Sequence, residues 1–183
     1  MYSLYVYASR QSNLISSIMS EMWNADQATP LGEGVFRVCF ETPPEEPMEA
    51  MRELIMSDVE VNLSITLFAR RTQSLVPEAW IATALKHLPY DHYTPERIYY
   101  YLLKHYPDIR QMMRERCDDV LRRHLVETVL ALARSNLNVS EAAEKLFIHR
   151  NTMLYRLERV KDRTGIDPQT FLGASIFHLL YTL

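Results

Sequence analysis

Apolar and polar positions alternate over residues 2–8, a stretch rich in tyrosine, and this period of two predicts a strand. The pattern then changes. Ser9 to Asn13 can open a helix that carries Leu14, Ile15, Ile18, Met19 and Met22, and Thr29 to Gly34 reads as turn material. Alternation returns from Val35 to Glu41, where Val35, Arg37, Cys39 and Glu41 face away from Phe36, Val38 and Phe40. Thr42 to Pro47 is an acidic, proline-rich loop. Met48 to Met56 has helical spacing through Met51, Leu54 and Ile55, and Val59 to Ala69 alternates through Val61, Leu63, Ile65 and Leu67. The order strand, helix, strand, helix, strand predicts a small three-stranded sheet with helices on one face. So small a core is marginal, and the unit is expected to lean on the helical part or on a second subunit.

The rest of the chain is helical in period. Arg70 to Ser74 is a polar break. A helix is expected from Leu75 to Leu88, with Val76, Trp80, Ile81 and Leu85 on one side and Pro77 in its first turn. Thr94 and Pro95 start another, which runs to about His105. Tyr90, Tyr93, Tyr99, Tyr100, Tyr101 and Tyr106 gather here. They offer either a ligand or partner surface or the packing of helix on helix. A helix follows from Asp108 toward Arg123, then one over Leu125 to Arg134. Asp167 is placed to cap a last helix with Phe171, Leu172, Ile176, Leu179 and Leu180 inward. The expected class is α+β: a small N-terminal three-stranded α/β unit followed by an all-α part. The expected domains are 1–72, regulatory or for dimerisation, a helical connector over 73–110, and a helix-turn-helix domain over 111–183.

The most informative stretch is Asn138 to Gly165. Ser140 or Asn138 can cap a first short helix, and Glu141 and Glu144 put negative charge at its positive end. Ala142 and Ala143 let another helix pass closely, and Leu146 and Phe147 supply its apolar end. A second helix starts near His149 to Asn151 and ends at Gly165, a residue that takes the left-handed position at little cost. Met153, Leu154, Leu157, Val160 and Thr164 form its inward stripe, and Asn151, Thr152, Tyr155, Arg156, Arg159 and Arg163 lie around the other side. Cations, amide, hydroxyl and ring on one face are the groups that meet phosphates and base edges. A solvated surface helix would carry a similar face, so the pattern alone leaves both readings open.

The residues V-S-E-A-A-E-K-L-F-I-H-R-N-T-M-L-Y-R-L-E-R-V-K-D-R-T-G resemble the C-terminal helix-turn-helix domain of PucR-type regulators, which include purine-catabolism and sugar-diacid (CdaR-like) activators. The specific part is His149, Arg150, Asn151, Thr152, Tyr155, Arg156 and Leu157, and the likeness extends from about Leu125 to the C-terminus. It implies a bacterial DNA-binding regulator of transcription, with double-stranded DNA as partner and the major groove read by helix 150–164. Asn151, Thr152, Tyr155 and Arg156 are then expected at base edges, and Ser140, His149, Arg150, Arg159 and Arg163 at phosphates. His149 has two uses, capping its helix or touching phosphate, and capping is the usual one at that position. Regulators of this type carry long N-terminal sensing domains. Fewer than 75 residues precede the helical part here, and the resemblance implies that their strand–helix alternation is a shortened form of the α/β domain that often precedes this reader.

Charge sharpens this picture. The net charge of the 183 residues is -3, so the chain is not a basic nucleic-acid coat. Only 8 of the 20 cations precede Asp108, leaving 12 for the remainder, and Lys145, Arg150, Arg156, Arg159, Lys161 and Arg163 outnumber Glu144, Glu158 and Asp162 around the reader. Cys39 and Cys117 have no metal spacing and read as reduced thiols of a cytoplasmic protein. No histidine pairs at a zinc spacing; His124 and Glu127, one turn apart, are an ordinary helix-surface pair. There is no glycine-rich phosphate loop, nucleophile elbow, signal peptide or membrane span. No enzyme, cofactor or metal is expected. A homodimer is expected, because two short helices on a two-fold site double the contacts. The alternative is an interaction module on a helix-turn-helix fold that does not bind DNA and pairs Arg156 and Arg159 with an acidic protein surface.

Overall fold

A computed structural model of the chain describes residues 2–25, 28–42, 45–69 and 74–182. Apart from Ser74, the expected break at 70–74 lies outside the described residues, as do Pro43 and Pro44 of the acidic loop. The elements run β1 (Tyr2–Ala8), α1 (Ser12–Met22), β2 (Thr29–Gly32), β3 (Val35–Phe40), α2 (Met48–Val59), β4 (Leu63–Phe68), α3 (Glu78–His87), β5 (His92–Tyr93), α4 (Pro95–His105), α5 (Ile109–Val120), α6 (Arg123–Arg134), α7 (Val139–Lys145), α8 (Arg150–Thr164) and α9 (Phe171–Tyr181). Two units contain them. One holds the described residues of 1–70 and 77–98, the other those of 71–76 and 99–183.

The first unit is a sheet of order β2-β3-β1-β4-β5. β1 lies between β3 and β4, antiparallel to both, with Val6 opposite Phe36 on one side and Ile65 on the other. This is the split β-α-β arrangement. The α+β class is therefore observed, with the three expected strands at the centre of the sheet and two short strands added outside them. Thr29–Gly32, expected as turn, pairs with β3, and β5 joins β4 in parallel. Leu4, Val6, Val38, Phe36, Leu63 and Ile65 form one apolar face, which Ile15 and Met19 of α1 and Met48, Met51 and Ile55 of α2 cover. The opposite face carries Tyr5 and Arg37, paired across the strands. The two helices expected between the strands thus share one face, and α3, expected in the connector, packs on this second face. The Tyr5 hydroxyl donates to Glu78 Oε1 at 3.0 Å, and Arg37 donates to the same oxygen. A half-polar sheet face thus holds a helix through one shared carboxylate.

The second unit is helical. Its core takes Ile109, Met113 and Cys117 from α5, Leu125, Val129 and Leu132 from α6, Ala142 and Ala143 from α7, Met153, Leu157 and Val160 from α8, and Ile176, Phe177 and Leu180 from α9. The tyrosine-rich stretch divides. Tyr99 is wholly buried and its hydroxyl accepts from the Leu75 amide at 3.1 Å, whereas Tyr100 is 38% exposed. The last helix starts later than the sequence pattern indicates. Thr170 is its cap, with Oγ1 accepting from the Gly173 amide at 3.0 Å, while Asp167 caps the preceding turn by accepting from Gln169. The inward stripe rotates accordingly: Phe177 is buried and Phe171 is 82% exposed. No helix among the described residues is long and apolar enough to cross a membrane.

Candidate nucleic-acid interface

α7 and α8 are joined by a four-residue connection and pack on α6. Asn138, not Ser140, caps α7: its Oδ1 accepts from the amides of Ser140 at 3.1 Å and Glu141 at 3.2 Å. The Ser140 side chain is left exposed. Ala142 and Ala143 are buried, so the absence of larger side chains lets α7 sit close on α6. The second residue of the connection, Phe147, has a left-handed backbone at φ 54 and is 96% exposed. The expected apolar end of α7 is thus half realised, with Leu146 partly covered and the Phe147 ring in solvent.

His149 caps α8, its Nδ1 accepting from the Asn151 amide at 3.1 Å. That bond needs an unprotonated Nδ1, so the imidazole proton sits on Nε2. Gly165 ends the helix at φ 71, and its amide bonds the Lys161 carbonyl at 2.7 Å. Met153, Leu157, Val160 and Thr164 are fully buried, and Leu154 is partly so. The opposite side of the first two turns exposes Asn151, Thr152 and Tyr155, the last at 63%, and Arg150 is exposed at the start of the helix. Arg159 is also exposed and lies 5.7 Å from the Tyr155 ring centroid, a cation–π contact that keeps the two together.

The remaining cations are placed otherwise. Arg156 is half-buried, with Nη1 3.5 Å from the Thr128 hydroxyl of α6. Arg163 donates to the Val120 carbonyl at 2.8 Å and so closes the end of α5. Lys145 bonds Glu141 at 2.7 Å, the Ser135 hydroxyl at 3.1 Å and the Arg134 carbonyl at 3.3 Å, tying α7 to the end of α6. Lys161 pairs with Asp167 at 2.9 Å. Of the basic residues counted around the reader, Arg150 and Arg159 are thus the ones held outward, and the positive face is narrower than the residue count indicates. Glu158 and Asp162 are exposed on the same helix. The structure brings Asn151, Thr152, Tyr155 and Arg159 to one exposed side of α8, with Ser140, His149 and Arg150 exposed nearby in the chain. It turns Arg156 and Arg163 partly into the fold. The exposed residue that the sequence pattern misplaced is Phe147. Following Leu146, it reads as one more buried apolar position, and only the left-handed turn shows otherwise.

Known proteins place this geometry. Residues 125–182 match the family described as the PucR C-terminal helix-turn-helix domain. A stretch of 56 residues is 34% identical to an uncharacterized protein, YxkF, of Bacillus subtilis (strain 168), covering 31% of this chain and 19% of that one. The chain therefore spans about a fifth of that relative's length. A regulator of polyketide synthase expression from Bifidobacterium adolescentis aligns with 97% of this chain and 77% of its own, at a TM-score of 0.50 and 16% identity. That likeness is one of fold. With α6 to α9 arranged as described, residues 125–182 are the part of this chain that matches the PucR C-terminal helix-turn-helix domain.

Proposed function

We propose that this protein is a sequence-specific DNA-binding regulator of transcription that reads the major groove with helix 150–164. The observation that carries this reading is α8 itself, apolar and buried on one side, polar, hydrogen-bonding and exposed on the other through its first two turns. A recognition helix presents that end to base edges. Asn151, Thr152, Tyr155 and Arg156 are the proposed base-reading residues. Ser140, His149, Arg150 and Arg159 would meet phosphates, His149 through the Nε2–H that its capping bond leaves as a donor. Arg163 would join them by exchanging the Val120 carbonyl for a phosphate. The likeness to a regulator of polyketide synthase expression supports the regulatory half of the proposal.

The rest of the proposal concerns organisation. Residues 1–72 form the regulatory or dimerisation part, 73–110 the connector and 111–183 the reader, in a bacterial, cytoplasmic homodimer. α3 and β5 of the connector stretch are built into the first unit. One observation favours the second reading, a protein-interaction module: Glu158 and Asp162 are exposed beside Arg159 and oppose phosphate. Selection of duplexes from a random pool, followed by a footprint, separates the two. An enriched site that the chain protects is expected, and a pool that shows no enrichment and no protection would rule out DNA reading.

A further inference from the structure

Three helix ends in the second unit close on a left-handed residue, α6 and α7 with the same pair of backbone hydrogen bonds and α8 with a single one from Gly165 to Lys161, and they are filled differently. After α6, the Leu137 amide bonds the Leu132 carbonyl at 3.0 Å and Asn136 bonds Ala133, with Asn136 at φ 50. After α7, the Ile148 amide bonds the Ala143 carbonyl at 3.0 Å and Phe147 bonds Glu144 at 3.0 Å, with Phe147 at φ 54. After α8, Gly165 stands at φ 71. The left-handed residue of such a motif is normally glycine, or asparagine, because a side chain resists that backbone. At the first left-handed residue two of the three ends obey this, although Leu137, next along after α6, is left-handed as well at φ 64. The third places a phenyl ring there and then exposes 96% of the residue. A single exposed hydrophobe is ordinary, but one seated on an unfavourable backbone with 96% of the residue in solvent gains little burial in return.

Its position supplies an explanation. Phe147 is separated from the N-cap of α8, His149, by one residue, and so stands beside the helix end that exposes Arg150 and Asn151. We propose that Phe147 is a DNA-contacting residue whose ring lies against the apolar groups of the duplex at the groove edge, either deoxyribose or the thymine methyl. This rests on the DNA-reading assignment above and adds to it an uncharged contact outside helix 150–164.

The test compares Phe147→Gly and Phe147→Asn with the wild-type chain on a duplex that the wild type selects from a random pool. Both variants suit the left-handed backbone. The glycine variant is expected to melt about 2–6 °C higher, because the strained position is relieved. Duplex affinity should fall about ten- to a hundredfold in both, the range for withdrawing one ring from contact. The slope of log affinity against log salt should not change, since no charge is lost. Replacing thymine by uracil at each position of the site identifies the contact. One position at which the wild type loses affinity and the variants do not assigns the methyl group; no such position assigns deoxyribose. Variants that bind as tightly as the wild type would overturn the proposal while leaving the DNA-reading assignment standing. So would a lower melting temperature for both variants, which makes the ring structural, or a loss of sedimenting mass, which puts it at a protein interface. A wild-type chain that selects no duplex overturns both.

Discussion

Arg156 and Arg159 stand three residues apart on α8 and have different surroundings, so their losses should differ. Arg159 is exposed and lies over the Tyr155 ring. Arg159→Ala is expected to weaken matched and scrambled duplexes alike and to reduce the salt slope by about one. Arg156 is half-buried beside Thr128, which fixes its direction. Arg156→Ala should cost about 1–3 kcal/mol on the matched duplex only, by relaxing one base preference. Titration of both variants on both duplexes decides, and the reverse pattern would mean that α8 docks the other way round. Cys117 behaves differently again. Burial pushes its thiol up to about 12. Ionisation therefore favours the unfolded chain, and the stability held by the neutral thiol is lost as pH rises from about 9 toward 12. At pH 8, iodoacetamide should leave Cys117 unmodified until denaturant is added, whereas ready modification in the folded chain would show that its burial is not maintained. Side-chain exposure at Asn151, Thr152 and Tyr155 was legible from helical period alone. Arg163 was not, because its acceptor, the Val120 carbonyl, belongs to another helix and leaves no mark in a charge count.

At the scale of elements, buried stripes carry the stability. Leu157 is fully buried in the middle of α8. Leu157→Ala should destabilise the domain by about 2–5 kcal/mol, read as a shift of the denaturation midpoint, and an unshifted midpoint would mean that the inward face is misassigned. α9 depends on a close approach instead: a Cβ at Gly173 would stand 1.9 Å from the Asp167 carbonyl oxygen. Gly173→Ala must therefore displace the turn before α9, and should lower the same midpoint. The long elements were legible because each buries one face at a fixed period. β2 and β5 were not. β2 reads Thr-Pro-Leu-Gly, the composition of a turn, and β5 has only two residues, so neither shows an alternation. Their pairing is set by β3 and β4, not by their own residues. The phase of α9 was misread because Asp167 suggested an early cap, while the Thr170 cap begins the helix three residues later.

For the whole molecule, one recognition helix reads few base pairs, and a closed two-fold assembly is the common way to double them. A homodimer is expected at tens of micromolar, either free or on a pseudo-palindromic duplex. Light scattering that gives a monomer in both conditions would contradict it. The central claim, that the exposed side of α8 meets duplex DNA, is tested most directly by measuring affinity for a selected duplex between 50 and 200 mM salt. With Arg150 and Arg159 at phosphates, and Arg163 released to join them, log affinity should fall with log salt at a slope of about −2 to −3 per subunit. A scrambled duplex should show a similar slope at lower affinity. No duplex binding at 50 mM salt, or binding with no salt dependence, would contradict it.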